Sequence, residues 1–246
     1  MNTPHIESCF SFIKGIGTKA LEKLDQHGFK TWEDALQNEE HLPFSVNQNE
    51  IIIDSIQSAK TLLEENKIAT LISQFPNKEH WRFLKDFEND LSYFDIETTG
   101  LSIYEDEPTV VVCHHKGKLL TFINGDNLND FIDILCEIKL LVSFNGASFD
   151  VPFIQEYFNI PTLPCPHIDL RWVCHHKGLT GGLKLIEKEV GVFRDASIGD
   201  IDGREAVFLW HKYKRYHISN ALTKLIEYCQ ADVTALVQLG QEIQYR

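Results

Sequence analysis

The chain has 246 residues, of which 43% are hydrophobic and 16 are Phe, enough apolar surface for a packed interior and too much for a disordered chain. No apolar run approaches the ~18 residues that a membrane-spanning helix needs. The first residues lack the basic start and apolar core of a secretory leader, so a cytoplasmic protein with no membrane partner is expected. The formal charge of −13 excludes a uniformly basic surface, yet residues 177–224 hold nine Lys/Arg against six Asp/Glu, a net +3 that leaves −16 elsewhere.

Six cysteines are scattered without a Cys-x-x-Cys pair, which fits reduced thiols rather than a zinc or redox motif. The N-terminal part reads as helical. Gly15-Ile16-Gly17 forms a tight turn feeding a helix through Ala20, Leu21 and Leu24, and Gly28-Phe29 stops it. Thr31 then caps a second helix, with Asp34 three residues on. The pattern resembles a helix-hairpin-helix element, whose Gly-x-Gly turn offers backbone N–H groups to a nucleic-acid phosphate. Lys14, Gly15, Gly17 and Lys19 are the candidate backbone contacts. A single helical segment is expected from Glu50 to Phe75, closed by Pro76-Asn77, so the domains are placed at 1–76 and 77–246.

Tyr93 to Glu97 is rich in aromatic and β-branched residues and reads as a short strand, ended by Thr98-Thr99-Gly100. Side chains two apart share a face, so Asp95 and Glu97 project together while Phe94 and Ile96 point to the opposite, buried layer. Adjacent carboxylates repel, and a hard divalent cation such as Mg²⁺ or Mn²⁺ turns that repulsion into attraction. Glu105-Asp106-Glu107 is expected to be a solvated loop, Thr109–His115 and Lys118–Ile123 a hairpin, 128–136 an amphipathic helix, and Leu140–Phe144 a buried strand. That strand breaks at Asn145-Gly146 and a helix starts near Ser148, which places Asp150 in its first turn, where the helix dipole favours an anion. His167–Leu170 is a further strand carrying Asp169. Val-Cys-His-His-Lys-Gly occurs at both 112–117 and 173–178, and adjacent histidines on a strand diverge, so no zinc site is assigned to it.

The last third is helical at Leu183–Val190, Gly203–Tyr216 and Ile218–Glu242. Lys212, Lys214 and Arg215 interleave with aromatics, a pattern suited to phosphate contact with stacking. Tyr228 and Asp232 lie four apart on one helix face.

Three motifs therefore stand in order: Phe94-Asp95-Ile96-Glu97-Thr98-Thr99-Gly100-Leu101, Asn145-Gly146-x-x-Phe149-Asp150, and Tyr228-x-x-x-Asp232. Together they resemble the DEDD exonuclease superfamily, tyrosine subclass, and within it the YprB-type ribonuclease H-like domain. The resemblance implies an α/β fold with a ribonuclease H-like mixed sheet flanked by helices, here preceded by the small all-helical region. It implies a 3′-5′ exonuclease acting on DNA or RNA, with two Mg²⁺ or Mn²⁺ ions held by Asp95, Glu97, Asp150 and Asp232, and Tyr228 as a catalytic orienter. Asn145 and Phe149 are then expected to contact the terminal nucleotide, with Thr98, Thr99, Gly100 and Leu101 lining the substrate. The competing expectations are a catalytically silent nucleic-acid-binding module and an endonuclease on the same fold.

Overall fold

The computed structural model describes residues 5–192 and 202–243. The chain divides into two compact units, Met1–Glu88 and Asn89–Arg246. No helix among the described residues is long and apolar enough to cross a membrane.

The first unit is all-helical: α1 (Thr18–Gln26), α2 (Trp32–Gln37), α3 (Val46–Glu64), α4 (Ile68–Gln74) and α5 (Trp81–Asp86). The cap expected at Thr31 is reciprocal, since Thr31 Oγ1 accepts from the Asp34 N–H and Asp34 Oδ2 accepts from the Thr31 N–H. The single helix expected over Glu50–Phe75 is two, because Asn66 adopts φ 55° and the Lys67 N–H returns to the Leu62 carbonyl at 2.8 Å. Residues 77–88 lie within this compact unit. The Phe83 ring meets Phe75 edge-on at 5.0 Å. The Asp86 carboxylate accepts from the His5 and Ile6 N–H groups. Ahead of Gly15 there is a 3₁₀ turn, Ile6–Ser8, and no α-helix among the described residues.

The second unit is built on five strands: β1 (Leu91–Thr98), β2 (Pro108–His115), β3 (Lys118–Ile123), β4 (Leu140–Ser143) and β5 (His167–Asp169), in the order β3-β2-β1-β4-β5. β2 runs antiparallel to both β1 and β3, and β4 and β5 continue the sheet parallel to β1. Lys116 and Gly117 both take positive φ, as a two-residue hairpin turn between twisted strands requires.

The remaining elements are α6 (Phe131–Glu137), α7 (Asp150–Phe158), α8 (Leu170–His176), α9 (Leu183–Val190), α10 (Gly203–Tyr216) and α11 (Ser219–Ile243). The helix expected over 128–136 starts with a 3₁₀ turn, Leu128–Asp130, and becomes α-helical only at Phe131.

Alternation along β1 sorts its side chains onto two layers. Phe94 and Ile96 join Val111, Cys113, Phe122, Phe131, Leu141 and Phe153 in the core on one side. The other face, with Tyr93, Asp95 and Glu97, lies toward α11, which packs across β1, β2 and β3. That helix comes close because residue 240 is Gly: a Cβ there would stand 2.6 Å from the Tyr93 hydroxyl oxygen. The two acids thus sit where sheet and helix meet, half-buried rather than on an open edge.

The repeated hexapeptide takes two conformations. Val112 to His115 lie in β2, whereas Val173 to His176 form the end of α8, a helix absent from the sequence expectation.

Candidate active site

Pairing between β1 and β4 runs only from Leu91 opposite Leu140 to Tyr93 opposite Val142. β4 then ends, and the Ile96 N–H on that side of β1 donates to Asp150 Oδ1 at 3.2 Å. The second motif thus meets the first by satisfying a backbone donor that the shorter strand leaves open. Asp232 arrives from α11, buried above the same face.

Burial and neighbouring charge both act on these acids. Burial holds the Asp95 carboxyl well above the usual carboxylate range, and the charges of Asp232, Asp150 and Glu97 raise it further. Glu97 is raised by burial and then by Asp232 and Asp150, while Lys184 opposes the shift. Asp150 is pushed up to about 7, chiefly by burial, with the Ile96 N–H among the groups pulling it back.

Cys229, fully buried on α11, brings Sγ to 3.7 Å from Asp95 Oδ2, and ligand atoms of Asp95, Glu97 and Cys229 lie within 4.8 Å of one another. Burial pushes that thiol far above its ordinary range, so it stays protonated and adds no negative charge. The donors left are carboxylate oxygens, a set that fits a hard divalent cation.

The turn before Asp150 is held from β5. Asp169, buried, accepts from the Asn145 N–H at 2.7 Å, the Ala147 N–H at 3.1 Å and the Arg171 N–H at 2.9 Å, so it also caps α8. Asn145 itself adopts φ 65°, and its Oδ1 accepts from the Arg171 guanidinium and the Ser148 hydroxyl. The backbone of Gly146 presses against the site, since a Cβ there would lie 2.0 Å from Ser143 Oγ and 3.2 Å from Asp150 Oδ2. Asp169→Ala removes the acceptor from three N–H groups and is expected to lower the unfolding free energy by about 2–4 kcal/mol in a urea titration. A loss below about 0.5 kcal/mol would show that the turn stands without it.

The other expected residues divide. Tyr228 is nearly buried, and the Lys184 ammonium lies 5.0 Å from its ring centroid. Lys184 entered the sequence argument only as one charge in a basic segment. Its helix N-terminal position beside Glu97 had no local signature.

Thr98 is buried, and Thr99 Oγ1 donates to Asp106 Oδ1 at 2.9 Å. Asp106 also accepts from the Ser102 N–H at 2.9 Å, so the stretch expected to be solvated carries an acid that pins the turn around Gly100. Leu101 is 85% exposed. Phe149 is half-buried with its ring 4.9 Å from Phe153, leaving only part of it for another molecule.

Lys14, Gly15, Gly17 and Lys19 are exposed on the first unit, where Gly17 precedes α1 and Gln48 Nε2 donates to the Lys14 carbonyl. Among the candidate basic residues of α10, the Lys214 ammonium lies 5.2 Å from the Trp210 ring centroid. Lys212 and Arg215 lie over Phe208 and Tyr216.

A family model described as the RNase_H superfamily matches residues 92–244. No curated protein matches the chain in sequence. Among solved structures, the family B DNA polymerase of the hyperthermophilic archaeon Pyrobaculum calidifontis is similar at a TM-score of 0.52 and 16% identity, a likeness of fold. The match covers 62% of this chain and 24% of the polymerase chain, so the protein spans about a quarter of that relative.

Proposed function

This chain belongs to the RNase H superfamily, and from that premise we propose that it is a divalent-metal-dependent nuclease releasing nucleotides from the 3′ end of a nucleic acid. The reading is supported by Asp95, Glu97 and Asp150, whose proton affinity is raised first by burial and then by neighbouring acids, Asp232 among them. Such an arrangement is costly in a protein that does nothing with it.

The four carboxylates would hold two Mg²⁺ or Mn²⁺ ions, and −4 against +4 leaves the occupied site neutral. When bound, the cations supply Lewis-acid polarisation of the phosphodiester and of the attacking water. The remaining work falls to this chain's own groups. The Tyr228 hydroxyl, one turn from Asp232, orients the attacking water by hydrogen bonding. Lys184, over the Tyr228 ring and near Glu97, adds positive charge where the phosphate would lie. Arg171 and Ser148 fix the Asn145 amide, and the Asn145 side chain and exposed Leu101 then flank the terminal nucleotide. The Gly15–Gly17 turn of the first unit, with Lys14 and Lys19, offers amides and charge to a nucleic-acid phosphate.

The test uses purified protein with Mg²⁺ or Mn²⁺ on DNA and RNA oligonucleotides labelled at either end. A 3′ label should appear as mononucleotide at the earliest times, and EDTA should stop its release. Cutting of a closed circular strand would replace the exonuclease reading with an endonuclease. Absence of hydrolysis with either ion would leave a binding module.

A further inference from the structure

α10 carries a face that its own packing does not use. Ala206, Leu209 and Trp210 are its buried residues. On the other side Arg204, Phe208, His211 and Arg215 recur at spacings of four, three and four, and all are exposed. Phe208 and Tyr216 each leave 63% of their surface in water. Unlike a single exposed apolar residue, these two rings stand among bases on one helix.

Each of these rings has a cation above it. The Lys212 ammonium lies 5.9 Å from the Phe208 centroid and the Arg215 guanidinium 5.7 Å from that of Tyr216. With four bases and one acid the helix carries +3 in a chain of −13. A cationic aromatic strip on an acidic body complements a polyanion with flat apolar groups, which describes a nucleic-acid strand. Base faces are hidden in a duplex, so stacking selects a single strand.

α10 also packs against β1, the strand that carries Asp95 and Glu97. Asp202, which caps α10 through the Arg204 and Glu205 N–H groups, lies within the electrostatic reach of Lys184. Lys184 in turn faces Glu97 and the Tyr228 ring. Phe208 and Tyr216 are eight residues apart, about 12 Å along the axis at 1.5 Å per residue, a span of a few nucleotides.

We infer that α10 guides single-stranded nucleic acid to the acid cluster, with bases stacking on Phe208 and Tyr216 and phosphates meeting Arg204, Lys212 and Arg215. The inference rests on the nuclease reading for what happens at the end of the guide.

Binding is read by fluorescence anisotropy of labelled 12-mer single-stranded DNA and RNA with Ca²⁺ replacing Mg²⁺, across a series of salt concentrations. Phe208→Ala/Tyr216→Ala should weaken binding about tenfold per ring with an unchanged salt slope. Lys212→Gln/Arg215→Gln should flatten the slope of log K against log salt by about 1.4, at roughly 0.7 per phosphate contact. In Mn²⁺, the ratio of kcat/KM on the 12-mer to that on a mononucleotide p-nitrophenyl ester should fall in parallel for the ring variant.

Strand affinity within twofold of wild type in the ring variant, with its far-UV spectrum intact, overturns the guide. So does sedimentation showing that the variant merely converts a dimer to a monomer, which would make the face a protein contact. If wild type binds strands through α10 but hydrolyses none, the catalytic reading fails and the guide stands. If it hydrolyses while the ring variant binds normally, the reverse holds.

Discussion

Asp95→Asn is expected to lower Mg²⁺-dependent 3′ release by about 10³-fold while raising the melting temperature of the metal-free protein. The two signs come from one cause. Asp95 is desolvated by burial and has Asp232, Asp150 and Glu97 as charged neighbours besides, so its ionised form is strained at neutral pH without a cation. Asn keeps the shape and removes the charge. Each kcal/mol of relieved repulsion is worth about 2–4 °C in a chain of this size. A purely structural lesion would lower activity and stability together. Release of a 3′ label and thermal melting in EDTA read the two effects separately. Unchanged hydrolysis, or a lower melting temperature, would remove Asp95 from the role assigned to it.

A second large effect is a pH dependence that reverses when a cation is added. Asp150 is held at about 7 in the folded protein against about 3.9 in an unfolded chain. Folding therefore raises its proton affinity, and a group of this kind stabilises the fold fully below its unfolded value. That contribution disappears as pH climbs from about 4 to about 7, because the unfolded chain ionises freely while the folded site resists. Asp95 and Glu97 shift in the same direction and extend the loss upward. The metal-free protein should thus melt lower at pH 8 than at pH 5.5. Mn²⁺ binds ionised carboxylates, so the melting shift it produces should be near zero at pH 5 and largest at pH 8. Asp150→Asn should flatten part of the metal-free slope. A Mn²⁺ shift that does not change with pH would contradict this account.

What could be read from the residues alone was what depends on short spacing. The period-two alternation of Phe94, Asp95, Ile96 and Glu97 sorted acids from core before any fold was known, and the matched sheet bears it out. Leu183–Val190 and Gly203–Tyr216 were legible because their apolar periodicity and flanking Gly and Asp residues agree. What escaped depends on distant partners. Asp169 shows as an acid at a strand end, yet its three N–H partners lie up to 24 residues away. Asp106 reads as one of three acids in a row, and only the turn at Thr99–Ser102 singles it out. The break at Asn66 hid inside an apolar period that continues on both sides, with one left-handed residue dividing it. Lys184 needed Tyr228 and Glu97, from α11 and β1, before its charge had a meaning.

The twin Val-Cys-His-His-Lys-Gly segments carry that lesson into folding. Identical letters become extended in one place, where Cys113 faces Phe94 across the ladder, and coiled in the other, where Val173 and Cys174 turn inward from a helix begun by Asp169. An excised hexapeptide would hold the instruction for neither shape. Each copy must wait for its surroundings before it commits, so these two stretches are decided by assembly of the whole unit rather than by nucleation within themselves.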